Sequence, residues 1–176
     1  MRCILPPGRG AQLIRRGERE DAAALAAICN HYVAEGHRVL REDPISPAEM
    51  EERLAGGSEG RPAYVLELEG VVVGYSYATP WWGPKVDPAT LETTIYLAPE
   101  ARGLGLGRAL YRTLLTALQD RNVHTAIGCI ALPNEESRAL HRSLGFTCVT
   151  VLPGAAQKHG VHYDLECWAR LLRQDS

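Results

Sequence analysis

No surplus of positive charge marks this 176-residue chain: 19 Lys and Arg stand against 21 Asp and Glu, a formal charge of −2. That balance excludes a basic footprint, so neither nucleic acid nor an anionic membrane is an expected partner. No apolar run approaches the roughly 18–20 residues of a spanning helix. The opening "MRCILPPGRGAQ" offers only Cys3-Ile4-Leu5 before Pro6-Pro7, so no signal peptide is expected. The 5 cysteines (Cys3, Cys29, Cys129, Cys148, Cys167) are scattered and odd in number, and none forms a C-x-x-C pair. Structural disulfides and a metal site are therefore not expected, and a reducing cytoplasm fits. Nor does any internal repeat or linker interrupt the chain. The expected organisation is a flexible leader over residues 1–11 followed by a single domain over 12–173.

What is present is an alternation of short elements. "QLIRR" reads as a strand, and "EREDAAALAAICNHYVAE" as a helix with Leu25, Ile28, Cys29 and Tyr32 on one stripe. "SPAEMEERLAGG" is a marked helix: Ser46 caps it, Pro47 takes its first position, Glu49 completes a capping box, and Gly56-Gly57 end it. "AYVLELEGVVVGYSYA" reads as a hairpin turning at Glu69-Gly70, and the alternating, β-branched "TLETTIYLAP" as a strand. "GRALYRTLLTALQDR" carries the helical stripe Leu110, Leu114 and Leu118. "HTAIGCIAL", "NEESRALHRSLG", "FTCVTVL" and "HYDLECWARLL" follow as strand, helix, strand and strand. The order β-α-α-β-β-β-α-β-α-β-β is that of an α/β chain with a substantial antiparallel part.

Between the third of these helices and the strand before it lies "EARGLGLGRAL", with glycine at 103, 105 and 107 between Arg102 and Arg108. Glycine costs roughly 0.5–1 kcal/mol against alanine inside an element, so three together imply unusual dihedrals or a close approach to the backbone. A strand-to-helix loop offers free N–H groups and the positive end of the helix dipole, a ready anion site. The two common phosphate motifs fail. G-x-G-x-x-G would need glycine where Arg108 or Leu110 stands, and no G-x-x-x-x-G-K-[ST] run exists.

What remains is R-x-x-G-x-G, Arg102 to Gly107, which resembles motif A of the GCN5-related N-acetyltransferases. "LPNEESRALHRSLGF" (Leu132 to Phe146) is similar to motif B of that superfamily. With "ICNHYV", "YATPW", "TLETTIYLAPE" and "KHGVHYDLECW" added, the chain resembles the phosphinothricin and methionine-sulfoximine N-acetyltransferase branch from about residue 12 to 170. The resemblance implies a mixed, mostly antiparallel sheet flanked by helices (an α/β, or α+β, fold) and splayed at a coenzyme cleft. It also implies acetyl-CoA as co-substrate, a small amino-acid-like amine as acceptor, and a homodimer.

The same resemblance distributes roles. Backbone groups of Ile95, Tyr96 and Leu97 would pair with the pantetheine arm. The stretch Arg102, Gly103, Leu104, Gly105, Leu106, Gly107 and Arg108 would hold the pyrophosphate. Asn134 would bind an amide of the arm, and Ser143 would line the same groove. Glu92 would be the general base, and His141 would serve the leaving thiolate. Arg41, Thr79 and Trp81 are the residues expected to meet the acceptor.

Read from the residues alone, each position keeps a second reading. Glu92 shares a strand face with Thr94 and Tyr96, which is equally the face a solvated carboxylate would take. His141 fits a half-buried helix histidine with one local hydrogen bond, and Asn134 is a natural helix cap. The departures from the branch cluster on the acceptor side. "WWGPKVDPAT" carries Lys85 and Asp87 where an arginine and tyrosine are usual, and of the usual pattern "EGHRVLRED" keeps only Arg41. "HGVHYD" replaces a tryptophan-histidine pair, and His159 and Trp81-Trp82 fit either a pocket or packing. Two other functions stay open on sequence alone: a transferase for a protein N-terminus or lysine, and a catalytically silent acyl-CoA-binding module.

Overall fold

The computed structural model describes residues 3–4, 11–55, 62–81 and 89–173. Its strands are β1 (Cys3–Ile4), β2 (Gln12–Arg16), β3 (Ala63–Leu68), β4 (Val71–Pro80), β5 (Thr90–Leu97), β6 (Thr125–Ala131), β7 (Thr147–Lys158) and β8 (Val161–Leu171). Its helices are α1 (Ala22–Ala34), α2 (Pro47–Ala55), α3 (Leu106–Gln119) and α4 (Glu135–Ser143). Among the described residues the strands form one sheet in the order β1-β2-β3-β4-β5-β6-β8-β7. Every neighbouring pair is antiparallel except β5 and β6. A parallel pair needs a crossover, and α3 supplies it.

That parallel pair is short. It aligns Thr90 with Thr125, Leu91 with Ala126 and Glu92 with Ile127, and there the pairing ends. Beyond Glu92 the two strands part, as the sequence reading anticipated, and the sheet opens into two arms. One arm is β1 to β5 with α1 and α2, and the other is β6 to β8 with α4. α3 packs across the junction: Leu110 belongs to the core of the first arm, while Leu114 and Leu118 belong to that of the second. The leucine stripe thus buries one face against both arms, each side chain contributing roughly 1.5–3 kcal/mol.

Local signals explain most boundaries. Pro47 opens α2, and the Ser46 hydroxyl accepts the Glu49 N–H at 3.1 Å. The Glu49 carboxylate, however, does not complete a capping box. It takes the Arg41 guanidinium at 2.7 and 3.2 Å, a charged partner stronger than a backbone N–H. Residues 1–11 show no periodicity, yet Cys3–Ile4 pair with Leu13 and Ile14. β7 runs on past "FTCVTVL" to Lys158. Pro153 is accommodated because β7 is the sheet's edge strand and its register with β8 shifts between Leu152 and Ala156. The residues Pro6-Pro7, Gly56-Gly57, Trp82, Lys85 and Asp87 singled out in the sequence lie outside the described residues.

Candidate active site

Where the arms part, a cavity of about 650 Å³ opens, and its lining draws on both. From β5 come Glu92, Thr93, Thr94, Ile95, Tyr96 and Leu97, since an edge freed from its neighbour presents both faces to the gap. The glycine loop contributes Arg102, Gly103, Gly105, Gly107 and Arg108, and the second arm contributes Cys129, Asn134, Glu136, Ser137 and His141. Thus most of the sequence-predicted site residues meet around one space. Leu106 turns into the core at 4% exposure, and Leu104 points outward at 41%.

The loop geometry separates the three glycines. Gly103 and Gly105 have φ of +72° and +77°, in the left-handed region that favours glycine, and a Cβ on either would meet nothing within 4 Å. Gly105 is the N-cap of α3, so the helix's first N–H groups and its positive dipole end face that open ground. Gly107 is different: a Cβ there would stand 3.1 Å from Leu97 Cδ1, so its role is close packing of α3 on β5. The turn therefore leaves open ground before a helix N-terminus, the setting that suits an anion of pyrophosphate type.

The two arginines beside it are already oriented. Arg102 lies over the Tyr32 ring at 5.9 Å and 3.7 Å from Glu136, and Arg108 donates to the Ser143 carbonyl at 3.2 Å. Tyr32 in turn donates its hydroxyl to the Leu97 carbonyl at 2.5 Å. Asn134 caps α4 by accepting the Ser137 N–H at 3.2 Å, while remaining on the cavity wall.

Glu92 sits at the last position of β5 that pairs with β6, half-buried, and burial pushes its carboxyl above the ordinary glutamate range. Such a carboxylate is a stronger base than one in water. Cys129 shares its wall, but burial, with Glu92 and Cys167 nearby, raises its thiol to about 12. It is thereby kept protonated and a poor nucleophile. His141 is 4% exposed. Its ring rests on Gly128, where any Cβ would collide with Nε2. Burial lowers its basicity, and the Ser137 carbonyl opposes that by accepting from Nδ1 at 2.8 Å.

A connection that sequence reading missed closes one side of the cavity. Residues 35–46, which join α1 to α2 of the first arm, reach over to the second arm on the way. Lys158, 3% exposed, donates to the carbonyls of Val33 and Val39 at 2.6 and 2.9 Å. His37 donates from Nε2 to the Pro133 carbonyl at 2.8 Å and stacks on Tyr163. Arg38 and Leu40, held between these ties, join the lining, with Arg38 3.5 Å from Glu136. Nothing in the spacing of "EGHRVLRED" singles out Arg38; only the crossing brings it in. Arg41, by contrast, lies outside the lining and is occupied by Glu49. Thr79 pairs with Glu92 from β4 and Trp81 is 37% exposed beyond that strand's end, both off the cavity wall. Ser143 also lies off it, its hydroxyl donating to the Leu140 carbonyl. His159 holds Glu42 through its N–H, at the end of the crossing segment. Among the described residues no group of His, Cys, Asp and Glu is placed to hold a metal ion.

Comparison with known proteins agrees with this geometry. The model of the acetyltransferase (GNAT) family matches residues 25–146. The chain is 35% identical to phosphinothricin N-acetyltransferase of Streptomyces viridochromogenes, over 94% of this chain and 91% of that one. It is 31% identical to the L-methionine sulfoximine/L-methionine sulfone acetyltransferase of Salmonella typhimurium, over 86% and 90%. The crystal structure of a GNAT-superfamily phosphinothricin acetyltransferase from Sinorhizobium meliloti in complex with acetyl-CoA superposes with a TM-score of 0.86. Identity there is 31%, covering 91% of this chain and 88% of that one. A parted sheet, a glycine turn at a helix N-terminus and a family model spanning both arms lead to one conclusion: the chain belongs to the acetyltransferase (GNAT) family of acetyl-CoA-dependent N-acetyltransferases.

Proposed function

We propose that the protein moves the acetyl group of acetyl-CoA to the amine of a small amino-acid-like acceptor, of the phosphinothricin or methionine-sulfoximine type. The observation that carries this is Glu92 at the parting of the sheet, a half-buried carboxylate with raised basicity, on the strand that leads into the glycine loop. Acetyl-CoA supplies an activated thioester. The residues of the chain do the rest. The N–H groups of residues 103–108 and the two arginines hold the pyrophosphate. The freed edge of Ile95–Leu97 and Asn134 align the arm, and an N–H of that edge faces the thioester oxygen as charge develops there. Glu92, directly or through one water, takes the proton an α-ammonium must lose before it can attack. His141 is the proton source for the departing thiolate. Arg38 and Leu40 line the same cavity from the segment between α1 and α2.

The acceptor class is tested by a panel of free amino acids, phosphinothricin, methionine sulfoximine and short peptides, read as released thiol. Turnover with the free amino-acid analogues and none with peptides is expected. Turnover with peptides alone would mean a protein acetyltransferase, and none with any amine would mean a binding module.

We also propose a cytoplasmic homodimer, with the single domain running over 12–173. Supporting the dimer is the edge strand β7, which leaves Val149, Val151 and Leu152 exposed at 59%, 45% and 42%, beside Val161 on β8 at 51%. An unpaired edge carrying apolar side chains on its surface is disfavoured in a monomer. Light scattering should give twice the chain mass, and Val151→Lys should shift it toward one. A wild-type monomer at working concentration would reject the dimer.

A further inference from the structure

Thr93, Tyr111 and His141 come from β5, α3 and α4, and are 5%, 0% and 4% exposed. They form an unbroken chain of hydrogen-bonding atoms. The Ile127 carbonyl lies 2.8 Å from Thr93 Oγ1, which lies 2.5 Å from the Tyr111 hydroxyl. That hydroxyl lies 3.2 Å from His141 Nε2, and His141 Nδ1 lies 2.8 Å from the Ser137 carbonyl. The Ser137 hydroxyl stands farther from Nδ1, at 3.4 Å.

Both ends of this chain are carbonyls, which only accept, so every link must be served by a proton from within. The threonine and tyrosine hydroxyls bring one each and a neutral imidazole brings one. The four links need four. With neutral His141 one link always fails. If Tyr111 donates to Thr93 and Thr93 to Ile127, the Nε2 lone pair faces the tyrosine oxygen. If Tyr111 donates to Nε2, Thr93 either turns to Tyr111 and abandons the carbonyl, or keeps the carbonyl and leaves the two hydroxyl oxygens facing each other without a proton. The imidazolium alone satisfies all four, running Nδ1–H to Ser137, Nε2–H to Tyr111, Tyr111 to Thr93 and Thr93 to Ile127.

We infer that Tyr111 and Thr93 are positioning residues that hold a proton on His141 against the desolvation of its ring. When Nε2 gives its proton to the departing thiolate, which leaves as the free thiol, the two hydroxyls reverse and the Thr93–Ile127 bond breaks; a proton taken up from solvent then restores the complete form. This deepens the reading of His141 as proton source and rests on it for its use in turnover, but the proton affinity itself is independent of acetyl transfer. The other groups around the network fit. Phe146 and Trp168 pack on the imidazole and carry no charge, while Glu92, Cys129 and Arg170 are the titratable and charged groups that act on Tyr111.

The test is the titration of the His141 ring by nuclear magnetic resonance, in the intact protein without acceptor. Tyr111→Phe removes only the oxygen, and its midpoint is expected to fall by about one to two pH units, the effect of a lost hydrogen bond to a charged group. Thr93→Val, which frees the tyrosine proton to point at Nε2, should move it the same way, and Thr93→Ser should leave it in place. In the pH dependence of kcat with the best acceptor, the limb reporting the protonated acid should move down with the titration, while KM for acetyl-CoA stays near wild type. Should Tyr111→Phe fail to fold, the threonine pair decides alone. A midpoint within about 0.3 units of wild type in folded Tyr111→Phe or Thr93→Val would overturn the inference. A shifted midpoint with an unmoved rate profile would instead remove His141 from the reaction.

Discussion

Glu92→Gln is expected to lower turnover by about 10²–10⁴-fold, the contribution of a general base, with acetyl-CoA affinity nearly unchanged. The substitution keeps the shape and hydrogen bonding of the side chain and removes only its ability to take a proton. An α-amine is largely protonated at neutral pH, so a base within reach decides how often a free amine faces the thioester. The pH dependence carries a second signature. Burial raises the Glu92 carboxyl, so the wild-type rate should fall away on the acid side at a pH above the ordinary carboxylate range. The sign follows from the role: the base works when deprotonated, and a raised value brings its protonation closer to neutrality. In Glu92→Gln that acid limb should vanish, leaving the ionisation of the amine itself. The same change at Glu69, on the exposed β3–β4 turn, should do nothing. A Glu92→Gln enzyme within about threefold of wild type would take the base out of the mechanism.

Gly105→Val should weaken acetyl-CoA binding by on the order of 100-fold or more, comparable to the loss of a preorganised backbone donor. Two effects act together. At φ of +77° a β-branched residue is strained, so the turn would relax and carry the first N–H groups of α3 off target. The new methyls would also project into the open ground in front of the loop, where the pyrophosphate belongs. Because that ground is solvent-facing and Gly105 is exposed, the core is untouched and the variant should fold. Calorimetry of acetyl-CoA binding separates the outcomes. Gly105→Asn, which tolerates the left-handed region, should retain more affinity than valine despite its similar bulk. Unchanged affinity in a folded valine variant would mean the loop does not hold the coenzyme.

The elements that carry the coenzyme side were legible because their signals are local. Alternation marks "TLETTIYL" as a strand, a 3.6-residue stripe marks α3, and glycine at 103 and 105 announces positive φ before any contact is known. Asn134 before "EESRAL" is a cap by its position alone, and the structure keeps that bond while leaving the residue on the cavity wall. The capping box at Glu49 shows where such reasoning stops. The sequence places a carboxylate three residues after Ser46, but an arginine eight positions earlier in the chain, brought back by the turn before α2, competes for it successfully.

What the sequence determined by itself, then, is the order of elements, the strand–glycine–helix unit and the family to which it points, all set by neighbours within a few turns of chain. The tertiary structure decided the rest. The sheet parts after Glu92, where β5 continues with β4 and β6 with β8, and that parting makes a cavity of a strand edge. Arg38 enters it because a buried lysine 120 positions later ties down the segment on which it rides. Tyr111, a stripe neighbour on a helix, meets His141 and Thr93 only through the packing of α3 against both arms. Periodicity records which face of an element is buried. It does not record which other element buries it, and the proton inventory of the site depends on that pairing.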